Sequence, residues 1–303
     1  MKNKTLIVIT GPTGVGKTET TLRIAEHFNV PVINADSRQI FSEIPIGTAA
    51  PTAEQQLRVQ HYFVGNHHLE DYYSASLYEQ DVLNIINSQH PPISLLSGGS
   101  MMYIDAVCNG IDDIPTILPE IREKMMKRLE AEGLEQMCNL LRELDPEHWK
   151  IVDRNNPRRV IHALEICIQT GKTYTSFRSN TIKDRPFNII KVGLNRDRDE
   201  LYNRINQRVL DMIEEGMIEE ALQVYPKRTL NSLNTVGYKE LFEYLDGLTT
   251  LDEAIFKIQS NNRRYARKQL TWYKKDTAFQ WFNPDNIEEI LNYIHTMISN
   301  TSK

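Results

Sequence analysis

Eight residues near the start of the chain, Gly11-Pro12-Thr13-Gly14-Val15-Gly16-Lys17-Thr18, constrain its fold more than any other segment. They fit the phosphate-loop pattern G-x-x-x-x-G-K-[ST], and their surroundings suit it. The β-branched run Thr5–Thr10 (TLIVIT) precedes them and reads as a buried strand; a helix is expected from Lys17 to about Phe28. In such a loop the glycines let successive amides point inward around phosphate oxygens, and the following helix adds partial positive charge at its N-terminus. Gly11, Thr13, Gly14 and Gly16 would shape the cradle, Lys17 would supply a point charge, and Thr18 would offer its hydroxyl to Mg²⁺. The motif specifies a diphosphate or triphosphate and leaves its carrier open.

The rest of the first third repeats the strand–loop theme. Residues 30–35 (VPVINA) read as a second strand ending at Asp36-Ser37, and Ile93–Leu96 as a third ending at Ser97-Gly98-Gly99-Ser100. Strands alternating with helices imply a mostly parallel sheet covered on both faces, with ligands outside the carboxyl ends of the strands. The loops at Gly11, Asp36 and Gly98 all follow strand ends, so they point to one common site. A nucleotide-hydrolysing P-loop protein would be expected to place a magnesium-binding acid at the end of a second apolar strand. Here the strand at Ile93 ends in Ser-Gly-Gly-Ser, and the acid is Asp36. That aspartate reads either as a helix or turn cap or as a base that accepts a proton from a nucleophile.

From about Leu118 to Thr170 the periodicity turns helical, with helices expected over 119–132, 134–144 and 156–170. Residues 189–194 return to strand, and 201–224 and 251–275 read as long helices. The expected organisation is a P-loop core in two parts, 1–115 and 186–303, interrupted by an all-helical insertion, 116–185. No apolar run approaches the ~18 residues of a membrane span. Three scattered cysteines suggest neither a zinc site nor a disulfide framework, so a cytoplasmic protein is expected. His67-His68 lacks a matching third ligand and reads as structural or RNA-facing.

The net charge of −5 conceals a basic stripe. Between Lys257 and Lys275 stand Lys257, Arg263, Arg264, Arg267, Lys268, Lys274 and Lys275, with no acid among them. Arg263 and Arg267, and Arg264 and Lys268, are spaced i,i+4, so each pair shares a helix face suited to backbone phosphates. Gln269 and Trp272 lie alongside. Tyr265, Trp272 and Tyr273 could stack bases or fill the core.

Taken in order, GPTGVGKT (11–18), NADSRQIF (34–41), IGTAAP (46–51), HHLEDYYSAS (67–76), LSGGSMMYIDA (96–106), DRNNPRRVIHALEI (153–166), RINQRVLDMIEEG (204–216), TVGYKEL (235–241) and RRYARKQLTWYKK (263–275) resemble the tRNA dimethylallyltransferases across nearly the whole chain. Plant adenylate isopentenyltransferases are similar in the first half only. The resemblance implies transfer of a dimethylallyl group from dimethylallyl diphosphate to N6 of adenosine 37, beside the anticodon, in tRNAs that read codons beginning with U. It implies that the P-loop with Mg²⁺ and Arg208 holds the diphosphate, that Asp36 takes the amine proton, and that Ser100 bonds near the bridging oxygen or the amine. Ser37, Gln39 and Thr48 would meet the substrate. Arg158 and Arg159 in the insertion, with Arg263, Arg267, Lys268 and Gln269, would contact the anticodon stem-loop of a monomeric enzyme. Two positions depart from the family pattern: Ser100 replaces threonine, and Ala50 replaces the lysine of GTAKP. A nucleotide kinase or NTPase, a prenyltransferase of free AMP, ADP or ATP, and an RNA-binding module without catalysis are the competing readings.

Overall fold

The computed structural model describes residues 4–88, 92–179 and 181–301, so the outermost residues of the expected segments, 1–3 and 302–303, lie outside it. The chain divides into two compact units, Met1–Asn109 with Asp184–Lys303, and Gly110–Lys183. The expected all-helical insertion was 116–185, and the smaller compact unit runs from Gly110 to Lys183.

The larger unit is built on one parallel sheet. Its strands are β1 (Thr5–Thr10), β2 (Val32–Asn34), β3 (His61–Tyr62), β4 (Ile93–Gly98), β5 (Asn188–Leu194) and β6 (Phe279–Phe282), in the order β3-β2-β4-β1-β5-β6. The central strand β1 shows why the sheet is covered on both sides. Leu6 and Val8 join one core with Ile33, Leu96 and Tyr78, whereas Ile7 and Ile9 join the other with Leu95, Val192 and Leu201. A strand buried on both faces has no polar alternation, which is why it reads as a continuous apolar run. The strand ends are in register, since Thr10 pairs with Gly98 on one side and Gly193 on the other, and Asn34 pairs with Ser97. The loops after β1, β2, β4 and β5 thus leave the sheet along one edge.

Three elements differ from the sequence expectation. The helix expected over 201–224 is two, Arg198–Glu214 and Met217–Val224, because Gly216 takes a left-handed φ of 102° between them. The short edge strands β3 and β6 were not expected. The helix after the phosphate loop spans Lys17–Phe28, and the long basic helix spans Leu251–Tyr273 behind a Thr250/Glu253 capping box.

The smaller unit holds the helical run Pro119–Leu144, broken at Gly133, then Pro146–Ile151 and Pro157–Thr170, around a core of Met125, Met137, Leu141, Val160 and Leu164. Asp145, 1% exposed, ties it together: its carboxylate accepts from His148 N at 3.0 Å, Thr175 N at 2.7 Å and Thr175 Oγ1 at 2.8 Å.

Candidate active site

At the carboxyl edge of the sheet the larger unit encloses a cleft of about 1230 Å³. Glycines shape its phosphate loop and the end of β4 beside it. Gly16 stands at φ 107°, and a Cβ on Gly98 would lie 2.2 Å from the Ala35 carbonyl oxygen, so the β4 loop can approach the end of β2 only as glycine. Two arginines hold the loop's carbonyls from outside: Arg196 Nε donates to Val15 O at 2.8 Å, and Arg204 Nε to Gly14 O at 3.0 Å. Arg196 is itself fixed by Asp285 at 2.6 Å and Glu200 at 2.7 Å. These bonds fix the two carbonyls and with them the course of the loop around a ligand.

Inside the cleft Lys17 Nζ donates to Gly11 O and Pro12 O at 3.0 and 2.9 Å. Burial, then the neighbouring Arg208 guanidinium, lowers its pKa to about 7, against the pull of Asp36. Arg208 donates to Thr13 Oγ1 at 3.0 Å, and burial lowers its pKa while Asp36 opposes that. Two half-buried basic side chains thus face one carboxylate, an arrangement suited to a polyanion.

Asp36 is a turn cap whose second oxygen stays unspent. One oxygen caps its own turn, accepting from Arg38 N at 2.9 Å and Gln39 N at 3.4 Å. The other makes no protein hydrogen bond among the described residues, and Asp36 lines the cleft, so a carboxylate oxygen remains for a substrate proton. Ser37, Gln39, Thr48 and Thr18 also line it. Gln39 spends its amide on the backbone, donating to Thr48 O at 3.0 Å and Ala49 O at 2.9 Å, and Thr48 Oγ1 donates to Ile44 O at 2.7 Å. Gly99 lines the cleft; Ser100, next in the chain, is buried, its N–H donating to Ala35 O at 3.0 Å ahead of the helix Met101–Asn109.

Gln269 departs from the expectation of a surface contact. It is 1% exposed, accepts from Thr13 N at 2.9 Å and donates to Gly99 O at 2.9 Å, so it clamps the phosphate loop to the β4 loop. Tyr265 lines the cleft, Tyr273 is core, and Trp272, 40% exposed, donates to Asp105 at 2.8 Å. Arg263 and Arg267 bond neutral partners, Asn206 and Tyr202, along the helix Arg198–Glu214, and Lys268 is exposed. Arg158 and Arg159 are exposed in the first turn of Pro157–Thr170. His67 packs at a tilt against Tyr73, ring centroids 4.3 Å apart, and no group of three or more metal-binding side chains exists among the described residues.

Sequence reasoning missed Arg38, Arg196 and Glu220. Arg38 lines the cleft and donates to Ser232 O at 2.9 Å. Arg196 follows the end of β5, so the rule that sites gather at strand carboxyl ends could have found it. Glu220 carried no such signal.

A parallel sheet whose edge combines a phosphate loop, two basic side chains and a carboxylate defines a P-loop-like protein with a site suited to a phosphorylated ligand. The match to the family model described as IPP transferase covers residues 39–276, and this chain belongs to that family. The tRNA dimethylallyltransferase 1 of Phocaeicola vulgatus is 62% identical over 296 residues, 97% of this chain and 98% of its own length. The tRNA dimethylallyltransferase of Christiangramia forsetii is 44% identical over 298 residues, covering 97% and 98%. The full-length tRNA isopentenylpyrophosphate transferase from Bacillus halodurans has a TM-score of 0.72 at 34% identity, over 99% of this chain and 98% of that one. A eukaryotic dimethylallyltransferase acting on tRNA has a TM-score of 0.74 at 27% identity, over 89% of this chain and 70% of its own. No helix among the described residues is long and apolar enough to cross a membrane.

Proposed function

We propose that this chain transfers the dimethylallyl group of dimethylallyl diphosphate to N6 of adenosine 37, next to the anticodon, in tRNAs that read codons beginning with U. The observation that carries this reading is the cleft in which Lys17 and Arg208, at the phosphate loop, stand within electrostatic reach of Asp36. The diphosphate sits in the loop. The adenine nitrogen attacks the allylic carbon, a C–N bond forms as the C–O bond to diphosphate breaks, and the amine proton passes to the free oxygen of Asp36. Adenine N6 is a poor nucleophile, so orientation and stabilisation of charge on the leaving diphosphate supply most of the rate. The names of the relatives support the same donor and acceptor.

The donor set suits Mg²⁺ carried mainly by substrate phosphate oxygens and water, with Thr18 as a protein ligand, because Mg²⁺ dehydrates reluctantly and seldom needs an all-protein cage. When bound, it offsets charge on the departing diphosphate. Ser37, Gln39 and Thr48 border the acceptor. Arg158, Arg159, Arg263, Arg267 and Lys268 meet the anticodon stem-loop, whose target base must be extruded to reach the cleft. The enzyme acts as a monomer in the cytoplasm.

Labelled dimethylallyl diphosphate with bulk tRNA, followed by mass spectrometry of the digested nucleosides, tests this. N6-isopentenyladenosine beside the anticodon is expected. A protein that ignores this donor and instead hydrolyses ATP or transfers its phosphate would overturn the reading. Asp36→Ala should remove most turnover while tRNA binding stays nearly intact; lost binding with normal turnover per bound complex would contradict the role of Asp36.

A further inference from the structure

The short helix Pro45–Thr48 borders the cleft and is held from two sides. On one side Glu220, 6% exposed on the helix Met217–Val224, accepts from Ile46 N and Gly47 N at 2.8 Å each and from the hydroxyl of Tyr238. On the other side Gln39 grips the carbonyls of Thr48 and Ala49, and the backbone N–H of Gln39 bonds Asp36. A continuous chain of hydrogen bonds therefore runs from Glu220 through residues 46–49 and Gln39 to Asp36.

Burying a carboxylate costs several kcal/mol unless it is well partnered. No cation pairs with that of Glu220 among the described residues, and adjacent Glu219 is exposed. Its partners are instead two first-turn amides that a four-residue helix cannot satisfy internally, plus one fully buried hydroxyl. Burial and the Glu220 charge push the Tyr238 phenol well above its ordinary range, so it stays a donor. Gly47 completes the seat, since a Cβ there would lie 2.4 Å from the Tyr238 hydroxyl. An apolar side chain could fill this space, but it would leave both amides unpaired, so the charge is there to fix residues 46–49.

We propose that Glu220 is a positioning residue for the transfer, setting the distance between the acceptor adenine and Asp36 without touching either substrate. This rests on the functional reading above. Glu220→Gln keeps the volume but turns an amide N–H₂ toward one of the two backbone donors. Since a displacement of about 1 Å at reacting atoms can cost ~100-fold, Glu220→Gln should lower single-turnover transfer to an anticodon stem-loop RNA by about 10- to 100-fold. Affinity for dimethylallyl diphosphate should stay within about twofold, because the phosphate loop is anchored independently by Arg196, Arg204 and Gln269. Tyr238→Phe leaves both amide bonds and should lose no more than about threefold. If Glu220→Gln does not fold, Gly47→Ala displaces the same segment with the charge kept, and the same split is expected. Unchanged transfer in the folded variants, or donor affinity falling in step with turnover, would overturn the inference. A wild-type chain that cannot prenylate the RNA would overturn the functional reading instead.

Discussion

Lys17 is a base whose proton the folded chain holds loosely. Its pKa is about 7 in the cleft, against 10.5 for an ordinary lysine, first because burial removes its hydration and then because Arg208 repels it. Between these values the unfolded chain binds more protons than the folded one, so this group makes stability rise with pH from about 7 upward. Below pH 7 its destabilising effect is complete and constant. Above about pH 10 the buried Tyr103 and the half-buried Tyr265, whose phenols desolvation pushes up, add an opposite slope. Urea unfolding of the ligand-free protein and of Lys17→Met at pH 7 and 9 isolates the effect. The wild type should gain on the variant by at most about 1.4 kcal/mol per pH unit. A difference independent of pH would contradict the buried-cation account. Bound diphosphate should flatten the slope, because it gives the ammonium a partner.

At the scale of elements, the crowded strand ends set how close the loops can come. Gly98→Ala would drive a methyl group to within 2.2 Å of the Ala35 carbonyl, separating the ends of β2 and β4. Overpacking of this kind costs typically ~1–3 kcal/mol, so a clearly lower melting temperature is expected, and wild-type melting would argue against the close approach. The helix Leu251–Tyr273 supplies a second case. Arg263 and Arg267 bond an amide and a phenol, not carboxylates, so these bonds leave their charge unneutralised. Replacing both with alanine should weaken tRNA binding and reduce the slope of log K against log salt by about 1–2; an unchanged slope would remove these two from the phosphate contacts.

These elements also show what the sequence could and could not reveal. The strand before the phosphate loop, the turn at Asp36 and the break at Gly133 were legible because periodicity and glycine act locally. β3 has two residues and β6 four, too short for a period to declare itself, and both lie at the sheet's edges where long-range pairing decides. Gly216 was read through as helix because the apolar spacing continues on either side of it. Gln269 sits in a basic stripe, and only the fold shows that its face turns inward toward Thr13. Glu220 follows another glutamate in an amphipathic helix; what separates the two is a contact 174 residues away along the chain.

For the molecule as a whole, the two compact units make one strong expectation. The helical unit carries its own core and closes on itself: Ser179 donates to Asp112 at 2.6 Å and Lys183 to Asp113 at 3.0 Å, near its first and last residues. The larger unit is likewise tied where the chain leaves and returns. Arg185, just after the return, donates to Glu79 at 2.6 Å and to the Ala106 carbonyl at 2.5 Å, three residues before the exit at Asn109. Buried on both sides of the join, this pair holds the two chain crossings of the sheet unit together without help from residues 110–183, and loop-closure entropy grows only slowly with length. Replacing 110–183 with a short glycine-rich linker should therefore leave a cooperatively folding protein that still binds dimethylallyl diphosphate within a few fold of the full chain. Because Arg158 and Arg159 leave with the insertion, its affinity for tRNA should fall by about tenfold or more, and its salt dependence should shrink. Calorimetric unfolding and titration with donor and with tRNA would measure all three properties. Loss of donor binding in a folded variant would mean that the sheet unit's phosphate site depends on the helices, and undiminished tRNA affinity would take the insertion out of the RNA surface.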